Sequence, residues 1–179
     1  MAVKPPNPKY IPKPYEKMLY PGQRVQIDVK VVPSACIVGE SQGEKFYQYT
    51  AIDEYSRFRY LEAFKEQSSY SSAVFVEHLL KRFPFKIECI QTDNGQEFTK
   101  ALGNAKNPKP TMFENELKQH GIHHKLIRPY TPRHNGKVER SHRKDNEYFY
   151  ATHKFYSFDD FVKQLKVYNY NYNMFPMRP

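Results

Sequence analysis

Hydrophobic and polar positions begin to alternate at Arg24, and the period of the pattern changes several times further along the chain. Residues 24–32, RVQIDVKVV, put Val25, Ile27, Val29 and Val31 on one side and Gln26, Asp28 and Lys30 on the other. That is the period-two pattern of a half-buried strand. After a loop around Gly39 to Gly43, residues 45–64 read as two strands rich in aromatic and β-branched side chains, folded back at Asp53-Glu54-Tyr55-Ser56-Arg57. The three strands predict an antiparallel meander, with Asp53 and Glu54 as turn residues. From Ser69 the period lengthens, so that Val74, Phe75, His78, Leu79 and Phe83 fall near helical spacing before Pro84 ends the helix. His78 flanks the packing face of that helix.

A short apolar strand, KIECIQT, then runs into Thr92-Asp93-Asn94-Gly95. Asn-Gly favours a tight turn. No strand follows it, however: a polar loop rich in Pro, Gly and Asn leads to a helix over 111–120 closed by Gly121. Residues 123–130, HHKLIRPY, predict one more strand, and a helix begins near Asn135. On that helix Asn135, Glu139, His142, Arg143 and Asn146 share one face, while Val138, Ser141, Asp145, Tyr148 and Thr152 form a neighbouring, weakly apolar one. A final helix runs from an N-cap at Ser157 to about Tyr172, burying Phe158, Phe161, Leu165 and Tyr168. This order of elements predicts an α/β fold whose antiparallel three-strand meander is extended by parallel strands and flanked by helices.

Residues 1–22 hold six prolines and no periodic pattern, so they predict an extended lead or linker ahead of a single domain over 23–179. A chain that starts in such a lead and stops at Met-Arg-Pro is expected to be a core cut from a longer protein. Cys36 and Cys89 sit in apolar strand-like runs, which suits buried thiols in a reducing compartment, and they lack the spacing of metal ligands. No apolar run reaches the length of a membrane span. A soluble, intracellular protein with no membrane partner is expected.

Charge sharpens this picture. The formal net charge is +9 with an isoelectric point near 9.4, the balance of a protein with a polyanionic partner. Between Lys118 and Lys144 lie eight Lys or Arg residues, five of the seven His residues and a single carboxylate, Glu139. An acid in such a setting is an ordinary surface ion-pair partner unless other acids meet it. Asp28, in mid-strand where Asp is disfavoured, fits a solvated edge when taken alone. Asp93 ends a strand that precedes a helix, which is where open α/β sheets place their sites. The first and fourth strands can be neighbours when a helix crosses between them. Three acids brought together need a counter-charge, and a pair of hard divalent cations supplies it.

The segments QIDVKVV, IQTDNGQEF and RPYTPRHNGKVERSHR resemble the three catalytic blocks of DDE-type retroviral integrases and insertion-sequence transposases. The resemblance covers nearly all of residues 22–175 and implies an RNase H-like core with a mixed five-stranded sheet. It implies that Asp28, Asp93 and Glu139 are the catalytic, metal-binding triad, holding two Mg²⁺ or Mn²⁺ ions. The implied activity is processing of a DNA 3′ end followed by strand transfer, carried out by a homodimer or higher homo-oligomer that holds the element's ends and the target. Asn135, His142 and Arg143 occupy offsets at which members of the family contact DNA; Lys137, Arg140 and Lys144 either bind backbone phosphates or solvate the helix. Tyr130 either stacks on a base or closes its loop. His120, His123, His124 and His134 are read as structural.

The chain departs from the family in having 45 residues, Asn94 to Val138, between the second Asp and the Glu, more than is usual. The excess fits the loop LGNAKNPKPT, where insertion is tolerated. The zinc-binding His/His/Cys/Cys module of retroviral relatives is absent from the sequence, as are a helix-turn-helix before residue 22 and a small β-barrel after residue 179. The loop from Pro129 to Asn135 is expected to move, leaving Glu139 away from the two Asp residues in the metal-free state. Three alternatives remain open at this level: an RNase H-like nuclease that only hydrolyses, a catalytically silent DNA-binding core, and a structural interaction domain.

Overall fold

The structure, a computed structural model, describes residues 16–101, 103, 108–127 and 135–175. The first fifteen residues of the proline-rich lead, half of the loop proposed to hold the insertion, and the segment 128–134 with Tyr130 and His134 lie outside the described residues.

The alternating segment forms β1 (Val25–Val31), at the centre of a five-stranded sheet. β2 (Tyr47–Asp53) and β3 (Arg59–Phe64) continue from it as an antiparallel meander. β4 (Cys89–Thr92) and β5 (His123–Leu126) add in parallel on its other side, giving the order β3-β2-β1-β4-β5. Parallel neighbours need a crossover. Helix α1 (Ser69–Arg82) supplies it between β3 and β4, and α2 (Met112–Gln119) between β4 and β5. Next comes α3 (Gly136–Asp145), which runs on into a π-helical stretch, Asn146–Tyr150, and α4 (Phe158–Met174) follows. This is the predicted mixed sheet, a meander plus parallel strands flanked by helices.

Side chains cap the starts of α2 and, as predicted, of α4. Thr111 and Glu114 close a capping box on α2, and the Ser157 side chain accepts from the Asp160 amide at the start of α4. His78 on α1 bonds Glu62 on β3 at 2.8 Å, which places it at the edge of the packing face. Described β5 is shorter than predicted, ending at Leu126, and α4 runs to Met174. The chain is already packed before β1: Met18 is buried, and the Gly22 amide donates to Asp53 at 2.9 Å.

Two apolar layers sandwich the sheet. Val25, Ile27, Tyr49 and Ala51 meet Phe75, Val76 and Leu79 of α1 and Phe113 and Leu117 of α2 on one face. On the other, Val32, Phe46 and Leu61 meet Phe149, Tyr150, Phe155 and the α4 residues Phe161 and Leu165. The alternation of β1 therefore sends Gln26, Asp28 and Lys30 toward α3, the side opposite α1 and α2.

Candidate active site

Asp28 lies in the middle of β1, half-buried, and its Oδ1 accepts from the Val29 amide at 2.9 Å. β1 and β4 pair in parallel with Val25 opposite Ile90 and Gln26 opposite Gln91. Two residues further in the same register, Asp93 stands level with Asp28 just past the carboxyl end of β4. There Asp93 Oδ1 accepts from the Gly95 amide at 2.9 Å, and Asn94 donates to the Ile127 carbonyl at 2.9 Å. The Asn-Gly pair is thus the shoulder of a loop and not a hairpin. Burial, and then the charge of Asp93, push the Asp28 carboxyl up to about 7; Glu97 and Glu139 act in the same direction more weakly.

Glu139 is exposed on α3. Among the described residues, no three of His, Cys, Asp and Glu stand close enough to enclose a metal ion. The structure therefore brings Asp28 and Asp93 together and leaves Glu139 on the neighbouring helix, near enough for its charge to act on Asp28. Crowded carboxyl oxygens, one of them held toward its neutral form for want of a counter-charge, fit a hard divalent cation.

What fixes α3 beside this pair is a polar clasp. The Oε1 of Gln26, on the same face of β1 as Asp28, accepts from the amides of Lys137 and Val138 at 3.1 Å each. These are first-turn amides that have no partner inside the helix. Gln26 Nε2 donates to Glu54 at 2.8 Å, and Glu54 accepts from Arg24 at 2.7 and 3.1 Å. Gln26, Glu54 and Arg24 are all buried. Gln26 thus does from the sheet what an N-cap side chain does locally. Asn135, at the cap position itself, makes no capping bond; it is buried, and its Oδ1 has no hydrogen-bond partner among the described residues.

The remaining residues predicted to contact DNA divide between two flanks of α3. Arg143 is exposed on the Glu139 flank. His142 turns inward, with Nε2 on Thr50 Oγ1 at 3.0 Å and Nδ1 3.5 Å from Asp28. Burial lowers the His142 imidazole to about 4 and raises Asp28 to about 7, so between those values both groups are neutral and the contact is not a salt bridge. Lys137, Arg140 and Lys144 line the opposite flank, facing the β2–β3 turn. Sequence reasoning missed Gln26, Glu54, Arg24 and Glu97. Glu97 carried a signal in its place within Thr-Asp-Asn-Gly-Gln-Glu-Phe; the other three carried none beyond Gln26 sharing a strand face with Asp28.

A family model described as an integrase core domain matches residues 20–132, and a second of the same description matches 120–178. The retrovirus-related Pol polyprotein from transposon RE2 of Arabidopsis thaliana is 31% identical over 99 residues, 54% of this chain and 6% of that protein. The putative integrase ORF3 of Spiroplasma virus SpV1-C74 is 30% identical over 156 residues, 83% of this chain. The chain spans only 42% of that relative's length. Among solved structures, a simian T-cell lymphotropic virus intasome in complex with the PP2A regulatory subunit B56 gamma superposes with a TM-score of 0.63 at 19% identity, over 89% of this chain and 53% of that one. The HTLV-2 integrase catalytic core domain in complex with magnesium, in a trimeric form, gives 0.55 at 19% identity, over 82% and 83%. These superpositions identify the sheet and its helices as the RNase H-like integrase-core fold.

Proposed function

The chain belongs to the integrase core domain family, and on that footing we propose that it is the catalytic core of a DNA integrase or transposase that cuts and rejoins DNA phosphodiesters. The observation that carries this reading is the effect of Asp93, just past the end of β4, on Asp28 of the neighbouring β1: burial first, and then the charge of Asp93, raise the Asp28 carboxyl to about 7. Asp28 and Asp93 would hold Mg²⁺ or Mn²⁺, with Glu139 completing the set from α3. Two such ions supply polarisation of a phosphodiester oxygen and activation of the attacking oxygen.

The protein's own part is binding and orientation. Asp28 would hold the cation through its carboxylate oxygens. Neutral His142, held by Thr50, covers Asp28 on the α3 side without competing for its charge. Arg143, on the Glu139 flank, meets a strand phosphate. Hydrolysis at an element end frees a 3′-OH, and that hydroxyl then attacks the target phosphodiester; no covalent protein intermediate is needed. Joining two ends in concert calls for a homodimer or larger assembly on DNA. The bacterial, DNA-associated cytoplasmic setting belongs to the same reading and is supported by the Spiroplasma virus relative. Among the described residues no helix is long and apolar enough to cross a membrane.

The test is a Mn²⁺-dependent assay on labelled duplex ends. Wild type yields joined products, and Asp28→Asn, Asp93→Asn and Glu139→Gln each abolish them while keeping the fold. Cleavage without joining selects the hydrolytic nuclease, and turnover retained in Glu139→Gln removes that residue from the triad. The exposed position of Glu139 favours one second reading, a silent DNA-binding core, which manganese binding without any turnover would select.

A further inference from the structure

Beside Asp28 lies a row of buried polar side chains whose hydrogen bonds run in one direction. Thr50 of β2 stands directly opposite Asp28 in the antiparallel register, and Gln48, two residues away, shares its face of the sheet. Gln48, Thr50 and Asp145, at the end of α3, are all fully buried. His142 reaches Thr50 from α3. Together these side chains make a chain of hydrogen bonds that starts at Asp145 and ends 3.5 Å from Asp28.

The direction of that chain follows from its donors. A carboxylate oxygen of Asp145 accepts, so the Gln48 group 2.8 Å from it is the amide nitrogen. Gln48 Oε1, on the other side, accepts from the Tyr150 hydroxyl, in keeping with this orientation. Gln48 Nε2 also donates to Thr50 Oγ1 at 2.9 Å. Thr50 therefore accepts from Gln48 and has one proton left to give. Among the described residues, its one further partner is His142 Nε2, at 3.0 Å.

Were Nε2 to carry a proton, in the neutral ring or in the imidazolium, the Thr50 hydroxyl would be a buried donor without an acceptor. Buried donors are normally satisfied. With the ring proton on Nδ1 instead, Thr50 donates to Nε2 and each donor of the chain is paired. Nδ1 is the nitrogen that faces Asp28 Oδ2, at 3.5 Å. That separation is longer than a formed hydrogen bond, and a fully charged carboxylate is the better acceptor.

We propose that Gln48 and Thr50 are positioning residues that hold His142 as its Nδ1–H tautomer, so that His142 donates to Asp28 Oδ2 when the carboxylate binds a cation. The Val29 amide already holds Oδ1, so the two donors orient both oxygens of the ligand. Outer partners of this kind contribute roughly 10–100-fold to metal affinity. The tautomer stands on the hydrogen bonds alone; the effect on a cation rests on the metal-dependent reading above. His142, expected from the sequence among the DNA contacts, serves the metal ligand instead.

The test joins nitrogen NMR of the full chain, labelled with ¹⁵N-histidine, to Mn²⁺ titration. At neutral pH, wild type is expected to show His142 protonated at Nδ1 and bare at Nε2. Thr50→Val keeps the branched shape and removes the hydroxyl; the two neutral tautomers then mix, and Mn²⁺ binds about tenfold more weakly. Thr50→Ser returns the hydroxyl and restores both readouts, which a purely steric role for Thr50 would not do. A protonated Nε2 in wild type overturns the proposal. So does Thr50→Val with unmixed tautomers, or with Mn²⁺ affinity equal to wild type. Wild type that is protonated at Nδ1 yet binds no Mn²⁺ would uphold the hydrogen-bond chain and sink the metal reading instead.

Discussion

Gln26 is the residue whose loss the structure prices most directly. Gln26→Met keeps the volume and removes the amide, so no cavity term enters. It deletes two bonds to the Lys137 and Val138 amides and one to Glu54. The Val138 amide belongs to a residue with no exposed surface and is left unsatisfied. Losing N-terminal capping is worth roughly 0.5–2 kcal/mol, and a buried bond to a charged group about 1.5–3 kcal/mol. Glu54 keeps both bonds from Arg24, which tempers the second figure. The expected destabilisation is about 3 kcal/mol, a large share of the 5–15 kcal/mol typical of a domain. With a urea m-value of about 2 kcal/mol/M, the midpoint should fall by about 1.5 M. Hydrogen exchange at the Val138 amide should accelerate together with that shift. A midpoint change under about 0.3 M, with Val138 protection intact, would mean that the amides find other partners and that the clasp does not hold α3.

Arg59 and Asp145 form an ion pair at 2.7 Å with neither side chain exposed. Arg59→Met leaves the carboxylate without its counter-charge, with only Gln48 and Tyr168 still donating to it, and should cost about 3–5 kcal/mol in chemical denaturation, whereas adding Asp145→Leu should restore part of it; equal stability of the single and double variants would refute this. Gly22 has φ +82°, and a Cβ there would lie 1.9 Å from the Lys86 carbonyl oxygen, so Gly22→Ala should lower stability by about 2–4 kcal/mol, read as Tm. In metal-free buffer, Asp28 and His142 make opposing contributions to stability. Asp28, raised from 3.8 to about 7, binds its proton more tightly when folded, so its contribution falls as pH rises through that window. His142, lowered from 6.5 to about 4, binds its proton more weakly when folded, so its contribution rises between those values. Asp28→Asn should therefore leave urea midpoints climbing from about pH 4 to 6.5; a profile matching wild type would refute the assignment.

The sheet was legible because its information is local. Strict alternation set β1, a five-residue turn set the hairpin, and two apolar runs followed by helices set the parallel strands. Asp28 and Asp93 each break a local rule, one in mid-strand and one at a strand's end, but only the resemblance of their flanking blocks marked them as metal ligands. The neighbours that shape the site were not legible, because their partners are far away in sequence. Nothing in the local pattern marks Arg59, yet it is buried and bonded to Ser141 and Asp145, more than 80 residues on. Asn135 reads as sharing the Glu139 stripe, yet its φ of −104° and ψ of 21° take it out of the helical path and into the interior.

These misread positions have one cause. α3 has a weak apolar stripe because much of its attachment is polar. At its first turn Gln26 grips the free amides from β1, and at its last turn Asp145 takes Arg59 from β3, Gln48 from β2 and Tyr168 from α4. Lys30 adds a further tie, to Asn146 where the π-helical stretch begins. An apolar stripe tolerates sliding and rotation, since dispersion contacts are non-directional. Hydrogen bonds at both ends of ten residues fix the rotation of the helix about its axis, and with it the flank on which Glu139 stands. A helix so rich in charge could be driven against the sheet only by such directional bonds, and directional bonds are what an acid presented at the edge of an aspartate pair requires.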